Sequence, residues 1–308
     1  MSTPSQLCVI ASFMYDLVVT APRRPEPGET LVGTDFATFV GGKGFNQAVA
    51  AARTGATTAV VGRLGKDPFA EEFREFLLAE GIDDSGVRID PEHGTGVGLP
   101  YVQEDGQNSI TIVPRANLAV TEGDVEAARE QIEQAEVLLV GLEIPMPAVV
   151  RAAQLGRAAG TTVVLNPAPF HPVPPELLDS VDIVVPNEVE LRQMVPGVPD
   201  PTEAALALHD QVGCALVVTC GSQGLIVVER GSARTVPAHR VEAVDTIGAG
   251  DAFCGCLGAR LALGDPLDEA IDYANAAAAL SVTRSGGAPS VPSAAETTRF
   301  IDGRSAAL

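Results

Sequence analysis

The chain has no tryptophan, only 4% aromatic residues, and half as many basic as acidic side chains, 20 against 40. With so few aromatics, the interior must be filled by Ala, Val, Leu and Ile, and an apolar content of 46% makes that interior substantial. Such cores suit parallel sheets covered by helices on both faces. A formal net charge of −20 removes the basic face that a phosphate backbone requires, so no nucleic-acid partner is expected. A small anionic ligand stays compatible, because it needs only a few local donors. No stretch approaches the ~18 apolar residues of a membrane span, so no membrane partner is expected. The start, MSTPSQLCVIAS, lacks the basic and apolar regions of a signal peptide, which points to a cytoplasmic protein.

Cysteine and histidine are also sparse. The five cysteines (Cys8, Cys214, Cys220, Cys254, Cys256) are odd in number and none is spaced C-x-x-C, so buried free thiols are expected rather than disulfides or metal ligands. His93, His171, His209 and His239 are scattered without a nucleophile motif, which leaves no case for a Ser-His-Asp triad or a zinc site. The only lysines are Lys43 and Lys66, so a lysine kept inside a glycine-rich loop stands out.

Short β-branched apolar runs are present at Leu7–Ala11, Thr58–Val61, Val137–Leu142, Thr162–Leu165, Asp182–Val185, Leu216–Thr219 and Leu225–Val228 and read as buried strands. Helical patterns fall between several of them, at Asn46–Thr54, Pro68–Glu80, Glu122–Gln134, Pro147–Ala159 and Thr202–Gln211. Pro68 fits a first helical turn, and Gly81 and Gly160 fit helix stops. This alternation predicts an α/β fold with a mainly parallel sheet. Two segments break it, at about 18–40 and 96–113, where Glu104-Asp105-Gly106-Gln107 reads as a hairpin turn. Both read as a small β-sheet flanking one domain over 1–308, either a lid or a mere sheet edge.

Four motifs could carry chemistry. In Asp245-Thr246-Ile247-Gly248-Ala249-Gly250-Asp251, small residues precede an Ala-rich helix. A helix N-terminus offers unpaired amides to a phosphate, and a carboxylate beside it can take a proton from a hydroxyl. That pairing suits phosphoryl transfer; a simple helix cap is the alternative. In Gly41-Gly42-Lys43-Gly44-Phe45-Asn46-Gln47, Lys43 and Asn46 offer donors to a polyol, or the stretch is only a tight turn; it lacks Walker A spacing. Thr219-Cys220-Gly221-Ser222-Gln223-Gly224 and Pro186-Asn187-Glu188-Val189-Glu190 both follow strands, where ligands collect in open α/β sheets. Glu188 and Glu190 could organise water around Mg2+.

Taken in order, these segments resemble the ribokinase branch of the PfkB carbohydrate kinase family. GGKGFNQAVAAARTGA is similar to its first signature and VDTIGAGDAFCGC to its second, and LNPAP, PNEVE and SVTRSGGAPSVP are similar to segments between and after them. The resemblance implies a three-layer sandwich with a central mainly parallel sheet and a small β-sheet lid that pairs across a homodimer. It implies an ATP-dependent kinase acting on the 5-hydroxyl of a pentose, first D-ribose. Asp251 would be the catalytic base, with Gly248, Ala249 and Gly250 as the anion hole. Met14, Asp16, Gly42, Lys43, Asn46 and Glu143 would contact the sugar. Asn187, Thr219, Gly221, Ser222, Gly224, Gly250 and Asn275 would contact the nucleotide. Asp245, Ile247, Ser281, Arg284, Gly286 and Ser290 would hold a monovalent cation, usually K+, largely through carbonyls, and Mg2+ would accompany ATP.

Three residues depart from that pattern. Met14 stands where ribokinases usually have Asn, and deoxyribokinases resemble the chain there, so 2-deoxy-D-ribose is an alternative substrate. Phe45 replaces a small residue and either narrows the pocket, even stacking on the base of a nucleoside, or packs the helix. Arg115 replaces a Gly and either reaches the substrate or lies on the lid surface. Outside the class, a sugar-binding protein without catalysis would not need Asp251 beside an anion hole. A dinucleotide-dependent oxidoreductase would need a G-x-G-x-x-G after the first strand, which is missing.

Overall fold

The computed structural model describes residues 5–103 and 107–305. Its central sheet has nine strands. Across the sheet they run Ser232–Val236, Leu225–Glu229, Ala215–Thr219, Ile183–Val184, Thr162–Leu165, Val137–Val140, Leu7–Ile10, Thr58–Gly65 and Asp83–Asp90. All neighbours are parallel except the pairings made by Leu225–Glu229, which are antiparallel. The expected α/β sandwich is thus observed.

The period of two along each strand builds the layers. Leu7 and Val9, with Val137 and Leu139, point to one apolar cluster, and Cys8 and Ile10, with Leu138 and Val140, point to the other. Both faces are covered, so these strands read as unbroken apolar runs. The first cluster is closed by helices Lys43–Thr54, Pro68–Ala79, Ala249–Ala262 and Leu267–Ser281. The second is closed by Met146–Ala159, Pro201–Val212 and the shorter helices Glu122–Ala127, Arg129–Gln134 and Glu188–Met194.

A second sheet of four strands runs Asp35–Gly41, Met14–Ala21, Gly96–Gln103 and Asn108–Val113. It begins ahead of the expected segment, at Met14, and residues 22–34 carry no strand. Residues 104–106 of the expected hairpin turn lie outside the described residues, although the strands on either side pair antiparallel.

Several boundaries differ from the sequence reading. The helix expected over Glu122–Gln134 is two helices that break at Ala128, whose φ is −99° and ψ 12°. Strand Asp182–Val185 contracts to Ile183–Val184. Asp83–Asp90 is a strand despite its charges, because it lies at a sheet edge and buries only Val87 and Asp90. Pro68 does open its helix behind an Asp67 cap, and Gly160 closes another at φ 86°.

Candidate active site

Two glycine-capped helices bring the site together. Gly42 (φ 103°) caps Lys43–Thr54 and Gly248 (φ 75°) caps Ala249–Ala262, both in conformations that residues with a Cβ rarely adopt. The helices cross closely, for a Cβ on Gly255 would lie 2.2 Å from the Gln47 carbonyl oxygen. That contact sets Asn46 beside Asp251, and Asn46 Nδ2 donates to Asp251 Oδ2 at 3.0 Å. Asp251 lies in the first helical turn and is 6% exposed. Ala252 donates to the Gly248 carbonyl at 2.8 Å, so the amides of Gly250 and Asp251 precede the first helical bond and have no intrahelical acceptor. Asn46 Oδ1 is buried and has no hydrogen-bond partner among the described residues, a free acceptor at the centre of the site.

The strand ends supply the opposite wall. Glu143 follows strand Val137–Val140 and Ser12 follows Leu7–Ile10. Glu143 Oε2 accepts from the Ser12 hydroxyl and, at 2.9 Å, from the Lys43 amide. The Lys43 ammonium is held above its usual pKa, chiefly by attraction to Asp251 and further by Glu143 and Glu190. Burial pushes the carboxyls of Glu143 and Glu190 up. Asp16 comes from the four-stranded sheet, and burial, aided by the charge of Glu143, raises its pKa to about 6. Gly98 opposes Asp16 across that sheet, and a Cβ there would lie 2.0 Å from Asp16 Oδ1. One lysine therefore sits among several carboxylates, an arrangement suited to hydroxyl groups beside a transferring anion.

Met14 and Glu143 line a cavity of about 420 Å3 together with Ile112, Leu118, Ile144 and Met146. Phe45 is fully buried against Phe13, Phe73 and Phe76, so it packs the core and neither narrows the pocket nor meets a base. Arg115 does not line this cavity; it donates to the Thr95 carbonyl at 2.9 Å, where the strand Gly96–Gln103 begins.

Residues 4–294 match the family described as pfkB family carbohydrate kinase. The chain belongs to that family. It is 37% identical over 301 residues to a ribokinase of Haemophilus influenzae, spanning 96% of this chain and 98% of that one. It is 34% identical to a deoxyribokinase of Salmonella typhi, again over 96% and 98%. A solved structure of Arabidopsis thaliana ribokinase complexed with ribose and ATP superimposes with a TM-score of 0.90 at 32% identity, covering 97% of this chain and 99% of that one. The chain is thus an ATP-dependent carbohydrate kinase of the PfkB family with a ribokinase-like fold.

In this kinase Asn187, Thr219, Gly221, Ser222 and Gly224, expected at the nucleotide, lie at or just after strand ends, whereas Gly250 and Asn275 sit in helices Ala249–Ala262 and Leu267–Ser281. Asn187 and Thr219 are joined by an isolated parallel bridge. Gly221 and Ser222 are exposed on the turn Gly221–Gln223. Gly224 is held against the Val236 carbonyl, and Asn275 Nδ2 donates to the Pro237 carbonyl at 2.9 Å, so both are also structural. Glu188 and Glu190 do not act as a pair. Glu190 closes a capping box, accepting from Asn187 N at 2.8 Å and Nδ2 at 2.9 Å, because a carboxylate three residues past an Asn cap reaches back to its amide.

The residues expected around a cation come from the loop before helix Ala249–Ala262 (Asp245, Ile247) and from the end of helix Leu267–Ser281 and the chain after it (Ser281, Arg284, Gly286, Ser290). Asp245 accepts from the amides of Ile247 and Gly286, both at 2.9 Å. The side chain of Arg284 turns to Glu296, and those of Ser281 and Ser290 bond the backbone carbonyls of Ala278 and Gly287. Among the described residues no group of three or more His, Cys, Asp or Glu is placed to hold a metal, and no helix is long and apolar enough to cross a membrane. Ser12 and Asn117 escaped the sequence reading. Asn117 pairs with both backbone groups of Phe13 and donates to Met14 Sδ at 3.3 Å. Neither residue belongs to a repeated or spaced pattern that would mark it.

Proposed function

We propose that the chain transfers the γ-phosphoryl group of ATP to the 5-hydroxyl of a pentose, D-ribose first, with Asp251 as the base. The observation carrying this reading is the contact of Asp251 with Asn46 at the mouth of a glycine-capped helix, facing Lys43 and Glu143. The 5-oxygen gives its proton to Asp251 and attacks phosphorus while the bond to the ADP oxygen breaks. Gly248, Ala249 and Gly250 form the anion hole, where the uncommitted amides of Gly250 and Asp251 meet the charge that develops on the phosphoryl oxygens. Asp16, Gly42, Lys43, Asn46 and Glu143 orient the ring hydroxyls, and the free Asn46 Oδ1 accepts from one of them. Asn187, Thr219, Gly221, Ser222, Gly224 and Asn275 support the nucleotide. The four-stranded sheet acts as a lid that keeps water from the phosphate.

Mg2+ would be carried by the ATP phosphates and would offset their charge; Glu190 is engaged with Asn187. A monovalent cation such as K+ suits the oxygen-rich loops of Asp245, Ile247, Ser281, Arg284, Gly286 and Ser290, which the Asp245 carboxylate draws together. Bound there, it would supply positive charge near the anion hole.

2-Deoxy-D-ribose is a second reading, favoured by Met14, which presents a thioether instead of a hydroxyl partner to the cavity. An ADP-release assay over ribose, 2-deoxyribose, fructose and several nucleosides tests both. No release with either pentose, against brisk release with another sugar, would overturn the pentose reading. A second copy of the chain is the proposed partner of the lid, which exposes Phe36, Leu99, Ile110 and Ile112. Sedimentation velocity should give a dimer that Ile110→Asp converts to monomer; a monomeric parent protein rejects the pairing.

A further inference from the structure

We infer that Arg115 is a positioning residue that fixes where the lid strand Gly96–Gln103 begins and, through that strand, the placement of Asp16; this rests on the sugar-kinase reading. Arg115 has φ 48°, in the left-handed region disfavoured for any residue with a Cβ. Such a conformation persists only where the surroundings over-determine it, and here they do. The guanidinium lies on Gly94 so closely that a Cβ on that glycine would come within 1.8 Å of Nη2. Nη1 donates to the Thr95 carbonyl at 2.9 Å, and the next amide, of Ala116, donates to the Gly94 carbonyl at 3.0 Å. Beside it Asp67, the cap of helix Pro68–Ala79, accepts from both the amide and the hydroxyl of Thr95 at 2.7 Å, and its Oδ2 lies 3.9 Å from Arg115 Nη1. The start of the strand is therefore tied at Thr95 to an Arg115–Asp67 pair, which joins the chain leaving the four-stranded sheet to a helix of the body.

Beyond Thr95 the strand is packed without slack. A Cβ on Gly96 would meet Asn117 Nδ2 at 2.4 Å and Met14 Sδ at 2.7 Å, and one on Gly98 would meet Asp16 Oδ1 at 2.0 Å. A strand that slides at Thr95 moves the floor beneath the Asp16 carboxylate. The guanidinium itself is absent from the cavity lining, so Arg115 acts on the sugar through its neighbours.

Arg115→Gly relieves the backbone strain and removes the strap, and Arg115→Lys keeps a cationic donor. The glycine variant should raise KM for the pentose roughly three- to tenfold, the range of one net hydrogen bond, with KM for ATP and kcat changed by less than about twofold. The lysine variant should restore part of the loss. Equal rises in both KM values, or an unchanged sugar KM, would overturn the inference. Hydrogen exchange on the ligand-free protein gives a reading independent of the substrate. In Arg115→Gly the amides of Gly96–Gln103 should exchange faster while those of Asp35–Gly41 do not. Unchanged exchange rejects the positioning role even if no pentose proves to be phosphorylated, whereas faster exchange supports it in that case too.

Discussion

The two sheets of this kinase are built from similar residues and do opposite things with them. In the central sheet Leu7–Ile10 and Val137–Val140 are wholly buried, each side chain covered by one helix layer or the other. In the four-stranded sheet Phe36, Phe39, Leu99, Ile110, Ile112 and Val113 remain exposed. The first arrangement gives rigidity, and under the proposed mechanism it carries the base and the anion hole at its helix and strand ends. The second leaves apolar surface to be covered by substrate or partner, and it carries Met14 and Asp16. Under that mechanism chemistry should depend on the body, while the four-stranded sheet should affect sugar affinity and choice more than turnover.

The sharpest break of that division is Asp251→Asn. Removing the base from a rigid site should lower kcat by roughly 10²–10⁴-fold, the usual worth of a positioned general base. Sugar affinity, measured by calorimetry, should stay measurable, since the contacts proposed for Asp16, Lys43, Asn46 and Glu143 remain. Near-normal turnover in this variant would reject the base assignment.

Asp16→Asn tests the lid side and has two readouts. Loss of a charged acceptor should raise the sugar KM roughly ten- to a hundredfold. Stability should move the other way. The folded-state pKa of Asp16 is raised from 3.8 to about 6, chiefly by burial, so the folded state binds this proton more tightly than the unfolded chain. The associated stability is full below pH 3.8 and is lost as pH rises through about 6. Above that range the ionised carboxylate weakens the fold by roughly 1–2 kcal/mol after allowance for solvent screening. The variant should melt higher than the parent at pH 8 and show no such gain near pH 4. An equal gain at both pH values would show that the burial of charge is not its origin.

The same division explains what could be read from the sequence. Strands buried on both faces announce themselves as continuous apolar runs, and five of the seven expected strands lie within about a residue of the observed ones. The glycine-rich starts of the helices carrying Lys43 and Asp251 were legible because φ values of 103° and 75° strongly favour glycine there. Asp83–Asp90 was not, since an edge strand needs no apolar run. Phe45 was ambiguous because a bulky residue inside a loop signature has no periodic neighbours, and only packing shows it turned into a cluster of aromatic rings. Ser12 and Asn117 were invisible for a related reason. Their roles are bonds across 131 and 104 residues of chain, which no local pattern encodes.

The finest test concerns a single lid residue. Met14 is 6% exposed and lies on the cavity wall, where its sulfur accepts from Asn117 Nδ2. A thioether offers little to a hydroxyl, so the wall does not penalise a sugar lacking one. An asparagine there would hydrogen-bond a hydroxyl and be left unpaired without it, and sites of that kind reject the deoxy analogue. Met14→Asn should therefore raise the ratio of kcat/KM for ribose over 2-deoxyribose by roughly three- to tenfold, about 1 kcal/mol, with kcat for ribose nearly constant. The amide freed by losing the sulfur, Asn117 Nδ2, also bonds the Phe13 carbonyl at 2.8 Å, so the new side chain need not compete for its only partner. A ratio that stays put would remove Met14 from sugar selection and leave the choice between the two pentoses to other residues of the lid.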